Sequence, residues 1–247
     1  PAIHYIIIIF MFVAGINFTL HFRAINGDLK AYYKDREFLV YFSIIVIVST
    51  IILSTLTNQT NTFSDLALRE SIFGTIAILT GTGYVLGDYE LWPVFLQMIL
   101  LTLMFIGGMG GSTTGGMKVI RVLLLVKYAA TETRHMLHSR ALLPVRIGRR
   151  YIKDDVVKNT LGFFLFFMSA FIISTLLLTA MDLDLVSSIG AAASAMGNIG
   201  PALGAFGPTD SYALMPGPGK WVLSFCMLLG RLEIFTVIVL FSKTFWK

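Results

Sequence analysis

An all-α integral membrane protein, built from repeated helix–pore loop–helix units with re-entrant half-helices, is the fold class this sequence predicts. Three observations carry that expectation. Of the 247 residues, 56% are hydrophobic and only 13% are charged, about half the charged share of a soluble domain. Five apolar stretches, near 2–22, 38–56, 91–107, 159–181 and 219–242, approach the roughly 20 residues a bilayer-spanning helix needs. Two shorter ones, near 71–80 and 185–197, each lie between two spans and run into glycine-rich sequence. Such segments read as half-helices that dip in and return, tolerated where the backbone is buried in protein or faces water.

The basic residues test this topology independently. Residues 23–37 hold Arg23, Lys30, Lys34 and Arg36, residues 118–158 hold ten more, and Lys243 and Lys247 close the chain. These regions share one side of the membrane only if both short segments return to the side they entered from, so the positive-inside rule selects the re-entrant arrangement. The net charge of +5 then belongs to a cytoplasmic membrane face, with no nucleic acid implied. The opposite face carries Asp65, Glu70, Asp88, Glu90, Asp182, Asp184 and Asp210. Acids at a pore mouth raise the local cation concentration, although ordinary solvated loop charges look the same in a sequence.

Taken in order, 1–22 is expected to be the last helix of a preceding repeat and 23–37 a cytoplasmic loop. Residues 38–117 form one helix–pore–helix repeat, 118–158 a basic cytoplasmic segment, and 159–247 a second repeat. Pro1 opens directly on a spanning stretch without a cleavable signal, as expected of a piece from inside a longer protein. Cys226 is the only cysteine, so neither an internal disulfide nor a cysteine metal site is expected. His135 and His138 have helical spacing but no third ligand nearby, and read as solvated basic-loop histidines. Asn58-Gln59-Thr60 is a glycosylation triplet that matters only in a secretory pathway.

Chemistry concentrates in four places. The first pore loop reads Thr80-Gly81-Thr82-Gly83-Tyr84-Val85-Leu86-Gly87-Asp88. A potassium-channel filter of TVGYG type replaces the ion's hydration shell with backbone carbonyls, and Thr82-Gly83-Tyr84 keeps that order after a short half-helix. The second loop, Ser194-Ala195-Met196-Gly197-Asn198-Ile199-Gly200-Pro201, occupies the equivalent place, with Gly200 matching Gly83. The alternative is that Gly200-Pro201 merely stops a helix. The two unlike strands predict a potassium-channel-like pore with K⁺ held at Thr82, Gly83, Asn198, Ile199 and Gly200, and with blunter discrimination than a four-fold filter gives.

The third place is the run Gly107, Gly108, Met109, Gly110, Gly111, Ser112, Thr113, Thr114, Gly115 and Gly116. It fails as a phosphate-binding loop because Met117 stands where the lysine should follow Gly116. Six glycines cannot sustain a membrane helix, so a flexible loop below the first filter strand, able to occlude the path, is expected; a plain helix terminator is the alternative. The fourth is Gly230-Arg231-Leu232-Glu233 inside the last apolar stretch. A charge at mid-bilayer costs at least ~2.5–3.5 kcal/mol and is functional by default. Arg231 is expected to face the path below the filter and Glu233 to bond backbone groups or a neighbouring helix, with an interhelical salt bridge as the alternative. No Ser/His/Asp or paired-carboxylate constellation lies in the spans, which argues against an enzyme.

These residues resemble the Trk/Ktr/HKT superfamily of potassium transporters, in particular its bacterial TrkH branch. The most specific pieces are Gly15-Ile16-Asn17-Phe18-Thr19-Leu20-His21-Phe22, the run ending Gly115-Gly116-Met117-Lys118, Asn198-Ile199-Gly200-Pro201, and Gly230-Arg231-Leu232-Glu233-Ile234-Phe235. The resemblance implies four pseudo-repeats with one filter glycine each, Gly83 and Gly200 here, an intramembrane gate at 107–116 and a pore arginine at Arg231. It further implies potassium uptake in a bacterial inner membrane, a homodimer in lipid, and a cytosolic nucleotide-binding regulatory subunit of RCK/TrkA type. No covalent cofactor is implied beyond the transported potassium ion. This chain matches the end of the second repeat plus the third and fourth, so alone it is not expected to conduct. Thr80-Gly81-Thr82-Gly83 and Gly197 depart from the family pattern and bear on the preference for K⁺ over Na⁺. A proton-coupled symporter of the same architecture is the alternative mechanism.

Overall fold

The computed structural model describes residues 2–60, 64–137, 144–148 and 150–232, together with 236, 237, 239 and 246. The chain runs α1 (Ala2–Ala14), α2 (Phe18–Ile25), α3 (Lys30–Lys34), α4 (Arg36–Thr60), α5 (Asp65–Leu79), α6 (Val94–Met104) and α7 (Val119–Leu137). A two-stranded antiparallel hairpin of β1 (Arg146–Ile147) and β2 (Arg150–Tyr151) follows. Then come α8 (Asp154–Thr179), α9 (Leu185–Gly197) and α10 (Gly217–Arg231). Two long apolar helices, α4 and α8, are each followed by a buried half-helix, α5 and α9, and a returning helix, α6 and α10.

Of the two half-helices, α9 covers the expected 185–197, while α5 starts at Asp65, six residues before the expected 71–80. At 13 residues, α9 rises about 20 Å, short of the roughly 30 Å hydrocarbon core. Its start is set by Asp184, whose side chain accepts from the Ser187 N–H at 3.0 Å, and α5 starts in the same way at Ser64, bonded to the Ala67 N–H at 3.0 Å. Both are enclosed: α5 packs on α1, α4 and α6, and α9 on α8, α10 and α6. Each repeat has its own apolar core, around Tyr41, Leu79, Leu96, Leu100 and Met104 in the first and around Phe167, Leu178, Met196, Leu223 and Cys226 in the second. Side chains such as Phe10, Ile47, Leu165, Ile172 and Leu176 stay on the outside, where lipid is the fitting solvent.

Three expectations are corrected. The stretch 2–22 is not one straight helix: α1 and α2 meet at a 102° bend. Its cause is local, because the Asn17 side chain caps α2 by accepting from the Thr19 N–H at 2.8 Å, and backbone groups freed at the break bond the glycine-rich run. The stretch 91–107 is helical only over Val94–Met104; beyond it Ile106 and Met117 pair as a parallel bridge that closes a loop. The segment 118–158 is not an open loop, since its first half is α7, which packs against α4 and α8 through buried residues such as Val119 and Leu124. In the last stretch, α10 ends at Arg231, and Glu233, Ile234 and Phe235 lie outside the described residues, as does His138.

Candidate functional site

Both half-helices end in the same turn. After α5 the Thr82 N–H donates to the Ala77 carbonyl at 3.0 Å, and after α9 the Ile199 N–H donates to the Ser194 carbonyl at 3.0 Å, each bond reaching back five residues. The bond equates Thr82 with Ile199, and therefore Gly83 with Gly200. Both glycines are left-handed, with φ of 69° and 114°, a region open to glycine at little cost. The negative ends of the two helix dipoles arrive together at the strands that follow.

The strands lie side by side. A Cβ added to Gly83 would run into the Ile199 carbonyl oxygen and come within 3.1 Å of Pro201. A cavity of about 510 Å³ opens between them, lined by Gly83 and Val85 from the first strand, Asn198 to Pro201 from the second, and Asp210 and Tyr212 from the outer loop. Thr82 and Tyr84 are not among its lining residues: the Thr82 hydroxyl bonds that of Thr80 at 2.6 Å, and the Tyr84 side chain is exposed.

The second strand is held from behind. The Gly200 N–H donates to the Ser194 hydroxyl at 3.1 Å, and the Tyr212 hydroxyl donates to the Gly200 carbonyl at 2.9 Å. The Tyr89 hydroxyl donates to the Ala202 carbonyl at 2.8 Å. Burial pushes the Tyr212 phenol up to about 12, so it stays a neutral donor at any physiological pH. Its ring stacks on Phe206 with centroids 4.7 Å apart.

The acids expected on the outer face divide by task. Asp184 caps α9, and its hydrogen bonds to Ser187 hold its carboxyl below the usual range. Asp88 accepts from the Glu90 N–H at 3.0 Å, and Asp65 pairs with Arg69 at 2.9 Å. Burial pushes the Glu90 carboxyl up.

The glycine-rich run is more ordered than its composition suggests. The Gly107 N–H donates to the Met117 carbonyl at 2.8 Å and the Val119 N–H to the Gly108 carbonyl at 3.0 Å, which closes the loop at its neck. Its rim is tied to the α1–α2 break: the Met109 N–H donates to the Gly15 carbonyl at 2.9 Å, and the Phe18 N–H to the Gly111 carbonyl at 3.1 Å. The Lys118 ammonium reaches back to the Thr114 carbonyl and, at 2.9 Å, to its hydroxyl. Gly115 lies against the end of α9, where a Cβ would stand 2.8 Å from the Gly197 carbonyl oxygen and 3.0 Å from the Asn198 Cβ. A Cβ on Gly197 would stand 2.7 Å from the Met104 carbonyl oxygen, so a residue without a side chain fits here.

Arg231 reaches the same loop, its guanidinium donating to the Thr113 carbonyl at 2.8 Å. Most of the residues singled out in the sequence therefore gather: the strands after α5 and α9 lie against each other, the glycine-rich loop lies against the end of α9, and Arg231 is bonded to that loop. Sequence reasoning missed Glu37, Lys118, Ser194, Tyr89 and Tyr212. Lys118 had a signal in its place beside the glycine run; the others bond residues distant in the chain or, for Ser194, a backbone amide.

Comparison with known proteins gives the same direction. The family model described as TrkH, cation transport protein, matches residues 1–247. Trk system potassium uptake proteins TrkH are 36% identical in Salmonella typhimurium, 35% in Escherichia coli K12 and 38% in Vibrio parahaemolyticus, each match covering 100% of this chain and 51% of the relative. The crystal structure of the potassium transporter TrkH from Vibrio parahaemolyticus superposes with a TM-score of 0.91 at 36% identity, over 100% of this chain and 53% of that one. The chain thus spans about half the length of these relatives. With a match along its full length in both sequence and fold, the chain belongs to the TrkH family of cation transport proteins.

Proposed function

We propose that this chain supplies two of the filter strands and the intramembrane gate of a potassium uptake channel or transporter. The observation that carries the reading is the pairing of Gly83 with Ile199 at the ends of two equivalent half-helices. The relatives' description as potassium uptake proteins supports potassium as the ion. In this reading, backbone carbonyls of Thr82, Gly83, Asn198, Ile199 and Gly200 take the place of the ion's water, and the run 107–116 closes the path below them. Entry is driven by the membrane potential, about 2.3 kcal/mol per charge per 100 mV.

The units of transport are 38–117 and 159–247, each one helix–pore–helix repeat, with 1–22 ending a preceding repeat. Residues 23–37 and 118–158 face the cytoplasm of a bacterial inner membrane, and the protein works without chemical catalysis. The full-length protein pairs as a homodimer and takes a cytosolic nucleotide-binding regulatory subunit. Proton-coupled symport is the second reading, and the scarcity of charged residues in the spans favours a pore.

The test uses the full-length protein in liposomes, with ⁸⁶Rb⁺ uptake driven by a potential and challenged with Na⁺. Uptake should resist Na⁺ competition, and Gly83→Ser should weaken that resistance by about tenfold, or ~1.4 kcal/mol of discrimination. Unchanged discrimination in the variant would remove Gly83 from the filter. A strict requirement for an inward proton gradient would favour symport.

A further inference from the structure

We propose that Glu37 is the positioning residue of the gate loop, tying the loop and the first turn of α7 to the start of α4 through one carboxylate oxygen. Glu37 stands in the first turn of α4 and is only 9% exposed. A carboxylate taken out of water is costly unless hydrogen bonds replace its hydration. Here one oxygen, Oε1, accepts from the Gly110 N–H at 2.6 Å and from the Ile120 N–H at 3.0 Å. The donors are 73 and 83 positions away in the sequence and belong to different parts of the machine: Gly110 lies inside the loop and Ile120 beyond its closed neck.

This geometry has a mechanical meaning. The loop cannot leave its place without giving up the Gly110 bond, and α7 cannot shift without straining the same oxygen. Displacement of the basic helix is therefore transmitted to the loop by a shared acceptor. The inference rests on the reading of 107–116 as the gate. Glutamine keeps an oxygen at the acceptor position while losing the charge that strengthens both bonds, so Glu37→Gln separates the hydrogen bond from simple burial.

The experiment measures basal ⁸⁶Rb⁺ flux through the full-length protein in liposomes, alongside amide hydrogen exchange of peptides covering 108–112 and 119–122. Glu37→Ala should raise basal flux by about fivefold or more and speed exchange in both peptides, and Glu37→Gln should do less of each. A deletion of residues 111–113 serves as a separate arm that opens the gate directly. Should Glu37→Ala fail to fold, Gly110→Pro removes the same bond from the loop side and should raise flux likewise. A folded Glu37→Ala protein with unchanged flux, beside a deletion that raises it, overturns the role of Glu37 and leaves the gate standing. A folded deletion protein with no gain in flux overturns the gate, and this inference with it.

Discussion

Among single residues, the turn and strand after α5 have a geometry written in residue types: a glycine, Gly83, where φ is positive, after a half-helix too short to span. The second strand was legible only through the repeat, and the structure grounds the match in the bond each turn makes to the residue five back. What holds that second strand was not legible, since Tyr212 acts on a carbonyl twelve residues away. Tyr212→Phe removes one hydrogen bond of about 1 kcal/mol while keeping the stack on Phe206. It should shift Rb⁺ over Na⁺ preference by about threefold to tenfold with little loss of thermal stability; an unchanged preference would make the tyrosine a packing residue only. Arg231 is a fixed positive charge joined to the loop at Thr113, and in the proposed function it stands on the cation path. Arg231→Ala should raise ⁸⁶Rb⁺ flux in a protein of near-normal melting temperature. A destabilised protein without a gain in flux would mean that the arginine serves to hold α10 against the loop.

At the level of elements, both half-helices were readable from length and from the glycines that end them. The bend between α1 and α2 and the shortness of α6 were not, because an apolar run reports burial and not straightness. The Asn17 cap sets the bend, and the glycine-rich loop takes up backbone groups on both sides of it and closes beyond α6. The start of α9 offers a separate test. Asp184 caps it, and the hydrogen bonds from Ser187 keep its carboxyl ionised below the ordinary aspartate range. An acid whose folded pKa is lowered stabilises the fold above its unfolded value, near 3.9, and loses that contribution as pH falls through the folded one. Asp184→Ala should cost about 0.5–2 kcal/mol, read as a lower melting temperature at neutral pH, and the gap between variant and parent should narrow in strong acid. A gap independent of pH would show that the cap's charge contributes nothing.

Across the whole molecule, the expected order of spans and returns rests on where the lysines and arginines lie, a signal that does not depend on exact helix ends. The same charges hid α7, whose basic residues resemble a solvated loop while Val119 and Leu124 are buried. Between the two cores the protein brings three glycines to one point: a Cβ on Gly81 would stand 3.2 Å from the Gly197 carbonyl oxygen and 3.8 Å from the Gly115 nitrogen. The strand after α5, the end of α9 and the glycine-rich loop thus meet largely main chain to main chain, with the Asn198 side chain beside the contact. A genetic screen that asks only for sodium tolerance should therefore return alleles in the loop as well as in the filter. Their carriers would be expected to leak and to lose discrimination together.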